Sequence, residues 1–330
     1  MGQSNHHGGR QGRTVRALLA LALTCAASVA HAQAWPSRPL RYIVPFPPGA
    51  FNDTLARTIA AEMPKAIGQT MVVDNRPGGN SIIGTEAAAK SPPDGYTVFG
   101  AALPFSVVQS LYKTPFDVTR DFAPITLAGF SANLLVAHPS FPPNSVAGLI
   151  KYAKANPGRI NYGSSGNGTS VHLSMELLKS MTGTFMVHIP YRGSAPVVTD
   201  LIAGQLDVMF DNVPNVIQHV RSGRMKALAV STAIRSALAP EVPTVAEAGV
   251  PGYELSVWFG VLAPAGTPRD IVLRLNSEMV KILNSADVKE RFAKQGVEVQ
   301  TSTPEQFGDF VKAEVARWAK VIKDAAIKAD

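Results

Sequence analysis

Glycine, serine, asparagine and threonine crowd into one stretch, Tyr162 to Leu177 (YGSSGNGTSVHLSMEL), which gives way directly to an amphipathic pattern. A loop of that composition running into a helix can hold an anion. The N–H groups of the loop and of the first helical turn converge there, and the helix dipole adds roughly half a positive charge. Thr169 or Ser170 is placed to cap the helix, Val171, Met175, Leu178 and Met181 recur at helical spacing, and Gly183 ends the run. The same residues also describe an ordinary strand, loop and helix with no ligand.

Two other chemistries are disfavoured here. Gly163 and Gly168 have the G-x-x-x-x-G spacing of a Walker A loop, but Thr169 stands where the phosphate-binding lysine is required. Gly163-Ser164-Ser165-Gly166-Asn167 falls one residue short of a G-x-S-x-G nucleophile elbow, because Asn167 replaces the last glycine. Asp53 and Asp211 are carboxylates that could pair as acid and base, yet nothing in the sequence sets their separation. In an anion pocket an aspartate would instead hold a ligand hydroxyl or ammonium group, or cap a helix. His172 and His188 have no metal-ligand spacing, so core or capping roles are expected, with no metal and no cofactor. Arg76 and Arg192 flank turns, and Arg192 is close enough in sequence to the candidate loops to reach a carboxylate.

The elements that must position these residues alternate between strand and helix. Leu40 to Val44 reads as a strand and Pro45 to Phe51 as a loop. Asn52 or Asp53 then caps a helix with Leu55, Ile59, Met63 and Ile67 on one face and Gly68 at its end. A strand at Met71 to Val73 leads into the turn Asn75-Arg76-Pro77-Gly78-Gly79, a helix through Ala87 to Ala89, and a strand at Thr97 to Phe99. Beyond these come strand Leu134 to Ala137, helix Ser145 to Ala155, strand Met186 to His188, helix Pro196 to Ala203, and strands Leu206 to Phe210 and Met225 to Val230. The order is that of a parallel α/β sheet wrapped by helices, whose ligands sit beyond the carboxyl ends of the strands. Three loops join the glycine-rich one there: Pro45 to Asp53, Tyr191-Arg192-Gly193-Ser194-Ala195, and Asp211-Asn212. Several helix N-termini facing one gap would bind a small anion through N–H groups, hydroxyls and ordered water. The C-terminal third reads as scaffold, with Thr303 and Gln306 forming a capping box for a last helix that buries Phe307, Phe310, Val311, Val315, Trp318 and Ile322.

The N-terminus says where the protein is expected to work. Arg10, Arg13 and Arg16 precede an apolar run, Ala17 to Ala30, too short to span a bilayer, and Ala30-His31-Ala32 is an A-x-A cleavage site. Residues 1–32 are therefore expected to be a secretory signal peptide. Its removal takes away the one cysteine, Cys25, together with three arginines and no acidic residue, so the formal net charge of +7 overstates that of the exported chain. A thiol-free chain suits an oxidising compartment. Lys312, Arg317, Lys320, Lys323 and Lys328 have the spacing of a solvated helix face without interleaved aromatic residues, so no nucleic-acid partner is expected.

The ordered segments WPSRPLRYIVPFPPGAFND, VVDNRPGGN, DGYTV, INYGSSGNGTSVH, HIPYRGSAPVVTDLIAGQLDVMFDN, PTVAEAGVPGYE and FGVLAPAGTP together resemble the solute receptors of tripartite tricarboxylate transporters, the Bug or TctC family, over nearly all of the mature chain. The resemblance implies an α/β type II periplasmic-binding-protein fold, a Venus flytrap of two lobes joined by two crossovers. Residues 33–130 and 258–330 would form lobe 1, and 131–257 lobe 2. It implies a monomeric periplasmic receptor, not an enzyme, that binds a small carboxylate and hands it to the membrane permease subunits of the transporter. Carried over, the first ligand loop falls on Phe46, Pro48, Gly49, Ala50, Phe51, Asn52 and Asp53. The second falls on Ser164, Ser165, Asn167, Gly168, Thr169 and Ser170, with Tyr191, Gly193, Ser194, Ala195 and Asp211 nearby.

The chain departs from the family's commoner P-P-G-G-S-T-D form by Ala50, Phe51 and Asn52. Ala50 is less free than glycine to take positive φ. Phe51 would either wall the pocket, favouring a ligand with an apolar or aromatic body, or turn outward and pack on the neighbouring helix. The readings from other classes are a secreted hydrolase built on Ser165 or the two aspartates, and a ligand sensor for a membrane signalling protein.

Overall fold

Two sheets carry the molecule, and the chain passes between them twice. The computed structural model describes residues 35–328. All the elements belong to one unit of the chain that begins at Arg38. In chain order they are β1 (Leu40–Val44), α1 (Phe51–Ile67), β2 (Met71–Asn75), α2 (Ile82–Ala89), β3 (Thr97–Ala102), α3 (Leu103–Leu111) and β4 (Phe122–Ser131). There follow β5 (Asn133–Ala137), α4 (Val146–Ala155), β6 (Asn161–Ser164), α5 (Ser170–Thr182), β7 (Val187–Pro190), α6 (Ser194–Ile202), β8 (Val208–Asn212), α7 (Val213–Arg221) and β9 (Lys226–Val230). The chain ends with β10 (Val257–Pro264), α8 (Arg269–Leu283), α9 (Ala286–Lys294), β11 (Val297–Glu298) and α10 (Pro304–Asp324). The expected signal peptide, residues 1–32, lies outside the described residues.

The first sheet has the order β11-β4-β10-β3-β1-β2 and the second β7-β6-β8-β5-β9. The expectation of a parallel sheet holds only for β2-β1-β3 and β7-β6-β8. β10 runs antiparallel to β3 and β4, and β5 antiparallel to β8 and β9. The physical cause is the double crossing. A strand that arrives from the other sheet enters without a βαβ crossover and so takes the opposite direction.

Several elements carry no periodic signal and are absent from the sequence reading. β3 runs straight into α3 and β8 straight into α7, with a proline at the start of each helix and no turn residues between. β4 contains Pro124 and Gly129, and β10 is buried on both faces, so neither alternates. Two boundaries shift at the site. α1 begins at Phe51 with Ala50 as N-cap, in place of Asn52 or Asp53. Ser194 and Ala195 form the first turn of α6, and Asp211 and Asn212 end β8, where loops were expected.

The two passages lie side by side. β4 ends at Ser131 and β5 begins at Asn133, while the return reaches β10 at Val257, which pairs with Ser131. Ser231 ties them on the other side: its Oγ donates to Leu255 O at 2.7 Å and accepts from Asn133 N–H at 3.0 Å. At the C-terminus the expected capping box forms, with Thr303 and Gln306 bonded reciprocally, and Phe307 and Trp318 of α10 are fully buried.

Candidate functional site

Asp53 organises the first loop from inside. It is 4% exposed, accepts from Gly49 N–H at 3.0 Å and Arg57 Nε at 2.9 Å on one oxygen, and from Asn75 Nδ2 at 2.9 Å on the other. Asn75 Nδ2 also reaches Phe46 O at 3.2 Å, so the loop is stapled to the end of β2. Burial raises the Asp53 carboxyl, but the bonds from Arg57, Gly49 and Asn75 outweigh it and hold the group below the usual aspartate range. Ala50 has φ −66 and ψ 156, an extended conformation open to any residue, so its replacement of glycine brings no backbone strain. Phe51 lays its half-buried ring on Phe259 of β10, with centroids 4.5 Å apart, and on Phe292 of α9, at 4.9 Å. Pro48 is exposed, and Asn52 is buried with Oδ1 lacking a protein partner.

The glycine-rich loop closes β6 and opens α5. Thr169 caps the helix, accepting from His172 N–H at 3.4 Å and donating to Gly166 O at 2.7 Å, and Ser170 is the first helical residue. Beneath the loop, Tyr162, His188 and His172 form a stack with centroids 4.8 and 4.1 Å apart. Each imidazole holds one end of the loop. Ser164 Oγ lies 2.6 Å from His188 Nε2, and Gly168 N–H donates to His172 Nδ1 at 3.1 Å. An accepting Nδ1 requires the neutral ring with its proton on Nε2. Burial, then His188 and Lys179, push the His172 pKa down to about 3, so the ring is neutral at ordinary pH. Glu176, also buried, accepts from Tyr162 and from Lys179 Nζ at 2.5 Å. Both histidines were expected in core or capping roles, and the structure adds that they set the loop.

Backbone bonds join the next loop to this one. Tyr191 N–H donates to Ser164 O at 2.9 Å and Gly193 N–H to Ser165 O at 3.3 Å, which brings the N-termini of α5 and α6 together. Tyr191 donates to Asp200 Oδ2 at 2.7 Å, and burial with that carboxylate pushes its phenol up to about 12. Ser194 donates to Asp211 Oδ2, and Asn215 Nδ2 bonds Asp211 Oδ1 at 3.0 Å. Ala195 and Arg192 are exposed, while Asn167 and Gly193 are half-buried.

The expected residues thus fall into two groups. Those of 164–170, 191–195 and 211 share one end of the second sheet, and those of 46–53 follow β1 in the first. Gly168 carries the approach between the halves, since a Cβ built on it would meet Leu111 Cδ1 at 2.7 Å and Asn80 Nδ2 at 2.9 Å. Sequence reasoning did not single out Arg57, Asn75, Asn80, Leu111 or Asn215. Asn75 and Asn80 lie in the VVDNRPGGN segment, and Asn215 stands four residues after Asp211, so a signal was present for those. Leu111 has none.

Geometry weighs against a hydrolytic arrangement. Ser165 Oγ faces Thr169 Oγ1 at 3.4 Å, and Ser164, which does meet a histidine, is 0% exposed. Asp53 and Asp211 are each bonded within their own sheet's elements. No group of three or more His, Cys, Asp or Glu that could hold a metal occurs among the described residues, and none of their helices is long and apolar enough to cross a membrane. A cavity of about 950 Å³ lies beside the crossovers, lined by Ser131, Ala132, Arg235, Glu254, Ser256 and Arg317 among others. It touches none of the expected loop residues. Its arginines are occupied, Arg235 by Glu247 and Arg317 by Glu314 and Glu254 O.

The family model for the tripartite tricarboxylate transporter family receptor, TctC, matches residues 55–327. The Rhodopseudomonas palustris protein Rpa4515, solved with adipate, is 40% identical, with 90% of this chain and all of that one covered and a TM-score of 0.78. The periplasmic binding protein BugD is 35% identical over 90% of this chain and all of its own, with a TM-score of 0.75. MatC from R. palustris, with bound malate, is 31% identical over 87% of this chain and all of its own, with a TM-score of 0.75.

Proposed function

The chain belongs to the tripartite tricarboxylate transporter receptor family, and from that premise we propose that it is a periplasmic receptor for a small dicarboxylate or related carboxylate. Residues 33–130 with 258–330 would form one lobe and 131–257 the other, closing over the ligand about the crossovers near Phe130 to Ala132 and Ser256 to Trp258. The closed form would then be offered to the permease subunits in the membrane. No bond of the ligand is made or broken.

One observation supports the carboxylate class above the others. The N-termini of α5 and α6 are drawn together by the Tyr191 N–H to Ser164 O and Gly193 N–H to Ser165 O bonds, giving uncharged donors and two helix dipoles at one place. Relatives with the same fold hold adipate and malate, each carrying two carboxylates. Recognition through N–H groups, hydroxyls and water suits such an anion without a dedicated arginine.

A thermal-shift series against aliphatic and aromatic mono-, di- and tricarboxylates, with calorimetry on each hit, tests the reading. A ligand at about a hundred times its Kd adds roughly 2.7 kcal/mol, a rise of ~5 °C for a chain of this size. The compound should be recovered unchanged. No shift across the series would overturn the carboxylate reading, and recovery of a cleaved product would favour a hydrolase.

A further inference from the structure

Asp211 is 1% exposed and forms no ion pair among the described residues. Three uncharged donors hold it: the backbone N–H of Asn212 at 2.7 Å and Asn215 Nδ2 at 3.0 Å on Oδ1, and the Ser194 hydroxyl on Oδ2. Ser194, half-buried at the first turn of α6, has a single proton, and Asp211 takes it. The serine oxygen then has only lone pairs to offer elsewhere, one of them already facing Asn215 Nδ2 at 3.4 Å. That polarity repels a carboxylate, although Ser194 stands at the helix N-terminus where one is expected to sit.

We propose that a carboxylate bound at Ser194 draws one proton onto Asp211 Oδ2, reversing the Ser194 to Asp211 hydrogen bond so that the serine hydroxyl donates to the ligand. The proposal rests on the carboxylate-receptor reading above. Ser194 passes its proton to Asp211 and takes another that the buffer acid supplies through solvent, the conjugate base left in solution carrying the balancing charge. The net change is one O–H bond formed on Asp211 and one proton removed from solvent. Asp211 is then a positioning residue that sets which way Ser194 points.

The surroundings favour this. Burial, opposed by the bonds from Asn215 and Asn212, pushes the Asp211 carboxyl up to about 6, and a second negative charge beside Ser194 raises it further. The elements packed on β8 are β5, β6, α5, α6 and α7. β5 carries no ionisable side chain. Tyr162 of β6 and Lys179 of α5 both bond Glu176, His172 accepts from Gly168, and Asp200 of α6 accepts from Tyr191. On α7, Arg221 donates to Leu238 O, and the His219 pKa is lowered by burial and then by Arg224. None of these groups shifts Asp211.

Titration calorimetry of the purified protein with adipate and with malate, near neutral pH in buffers of different ionisation enthalpy, reads the proton directly. The expected heat varies with the buffer by an uptake of up to one proton per ligand, and Kd weakens up to tenfold per pH unit above the Asp211 range. Asp211→Asn and Ser194→Ala should each abolish the buffer dependence, and either suffices if the other does not fold. Saturable binding with the same heat in every buffer overturns the proposal and leaves the receptor reading standing. A buffer dependence that survives in both variants also overturns it. No heat and no thermal shift with any carboxylate overturns the receptor reading and this proposal together.

Discussion

Gly168 faces Leu111 so closely that a Cβ on residue 168 would lie 2.7 Å from Leu111 Cδ1. Leu111 ends α3 beside the six-stranded sheet and Gly168 lies in the loop before α5 beside the five-stranded one, so this contact joins the two halves. Residue 168 also has φ +72, where a Cβ costs about 1–2 kcal/mol in either state. The two effects separate experimentally. Gly168→Ala is expected to lower Tm by about 2–4 °C and to weaken ligand binding about tenfold. Adding Leu111→Ala and Asn80→Ala together, which removes both atoms the new Cβ would meet, should restore the affinity and leave Tm low. A single variant that binds as tightly as the wild type would show that ligand binding does not depend on this contact.

His172 makes the loop sensitive to acid. Its folded pKa is depressed to about 3 while the unfolded ring takes a proton near 6.5, so between those values the unfolded state binds more protons. Stability therefore falls as pH drops below about 6.5, by up to ~1.4 kcal/mol per pH unit, until the folded ring itself protonates. His172→Asn offers Oδ1 where Nδ1 accepts from Gly168 and cannot be protonated. Its Tm should decline less between about pH 6 and pH 4 than that of the wild type. His172→Phe leaves the Gly168 N–H without an acceptor and should lose about 1–3 kcal/mol near neutral pH, a deficit that shrinks as pH falls because phenylalanine does not titrate.

Strands and helices bounded by turn residues were legible from the sequence. β1, the Gly68 and Gly183 helix ends, the helix start at Ser145, the cap at Thr169, one of two residues offered, and the Thr303 capping box stand where local chemistry places them. Legibility failed where strand passes into helix without a break: at Ala102 to Leu103 the apolar run has no internal punctuation, and at Asn212 to Val213 the Asp-Asn pair reads as a loop although it ends β8 and leads directly into α7. The antiparallel direction of β5 and β10 was equally hidden, although β5 itself was read as a strand at Leu134 to Ala137, since direction depends on the double crossing and not on either strand's own residues. In the site, the loops were legible as loops. Their internal bonds, such as Asp53 to Asn75 across 22 positions and Ser164 to His188 across 24, join residues whose partnership no spacing announces.

Asp211 runs opposite to His172. A carboxyl whose folded pKa is raised to about 6 from an ordinary value near 3.8 disfavours the folded state above about pH 6, and that penalty disappears below about pH 4. At about 1.4 kcal/mol per pKa unit the penalty at neutral pH is ~3 kcal/mol. Asn at this position can accept from Asn215 and Asn212 and donate to Ser194, so it fits without a charge. Asp211→Asn is thus expected to melt several degrees higher than the wild type near pH 7.5, with the gain vanishing near pH 4. A variant less stable at both values would mean that the ionised carboxylate is the form the fold requires.

Phe51 is held from two directions before any ligand arrives. Phe259 and Phe292 meet its ring at 53° and 76°, the tilted and edge-on contacts that aromatic pairs prefer. Each contact contributes about 0.5–1.5 kcal/mol beyond the area buried, and together they pin the start of α1 to β10 and α9. Phe51→Ser is therefore expected to lose about 2–3 kcal/mol, read as a Tm lower by ~5 °C, with Phe51→Leu recovering about half. An anchor of this kind acts on the fold and not on the ligand's body. The ranking of aromatic over aliphatic carboxylates should accordingly stay within about threefold in both variants, ~0.7 kcal/mol. A ranking that collapses in Phe51→Ser but holds in Phe51→Leu would show that the exposed edge of the ring is a wall of the pocket.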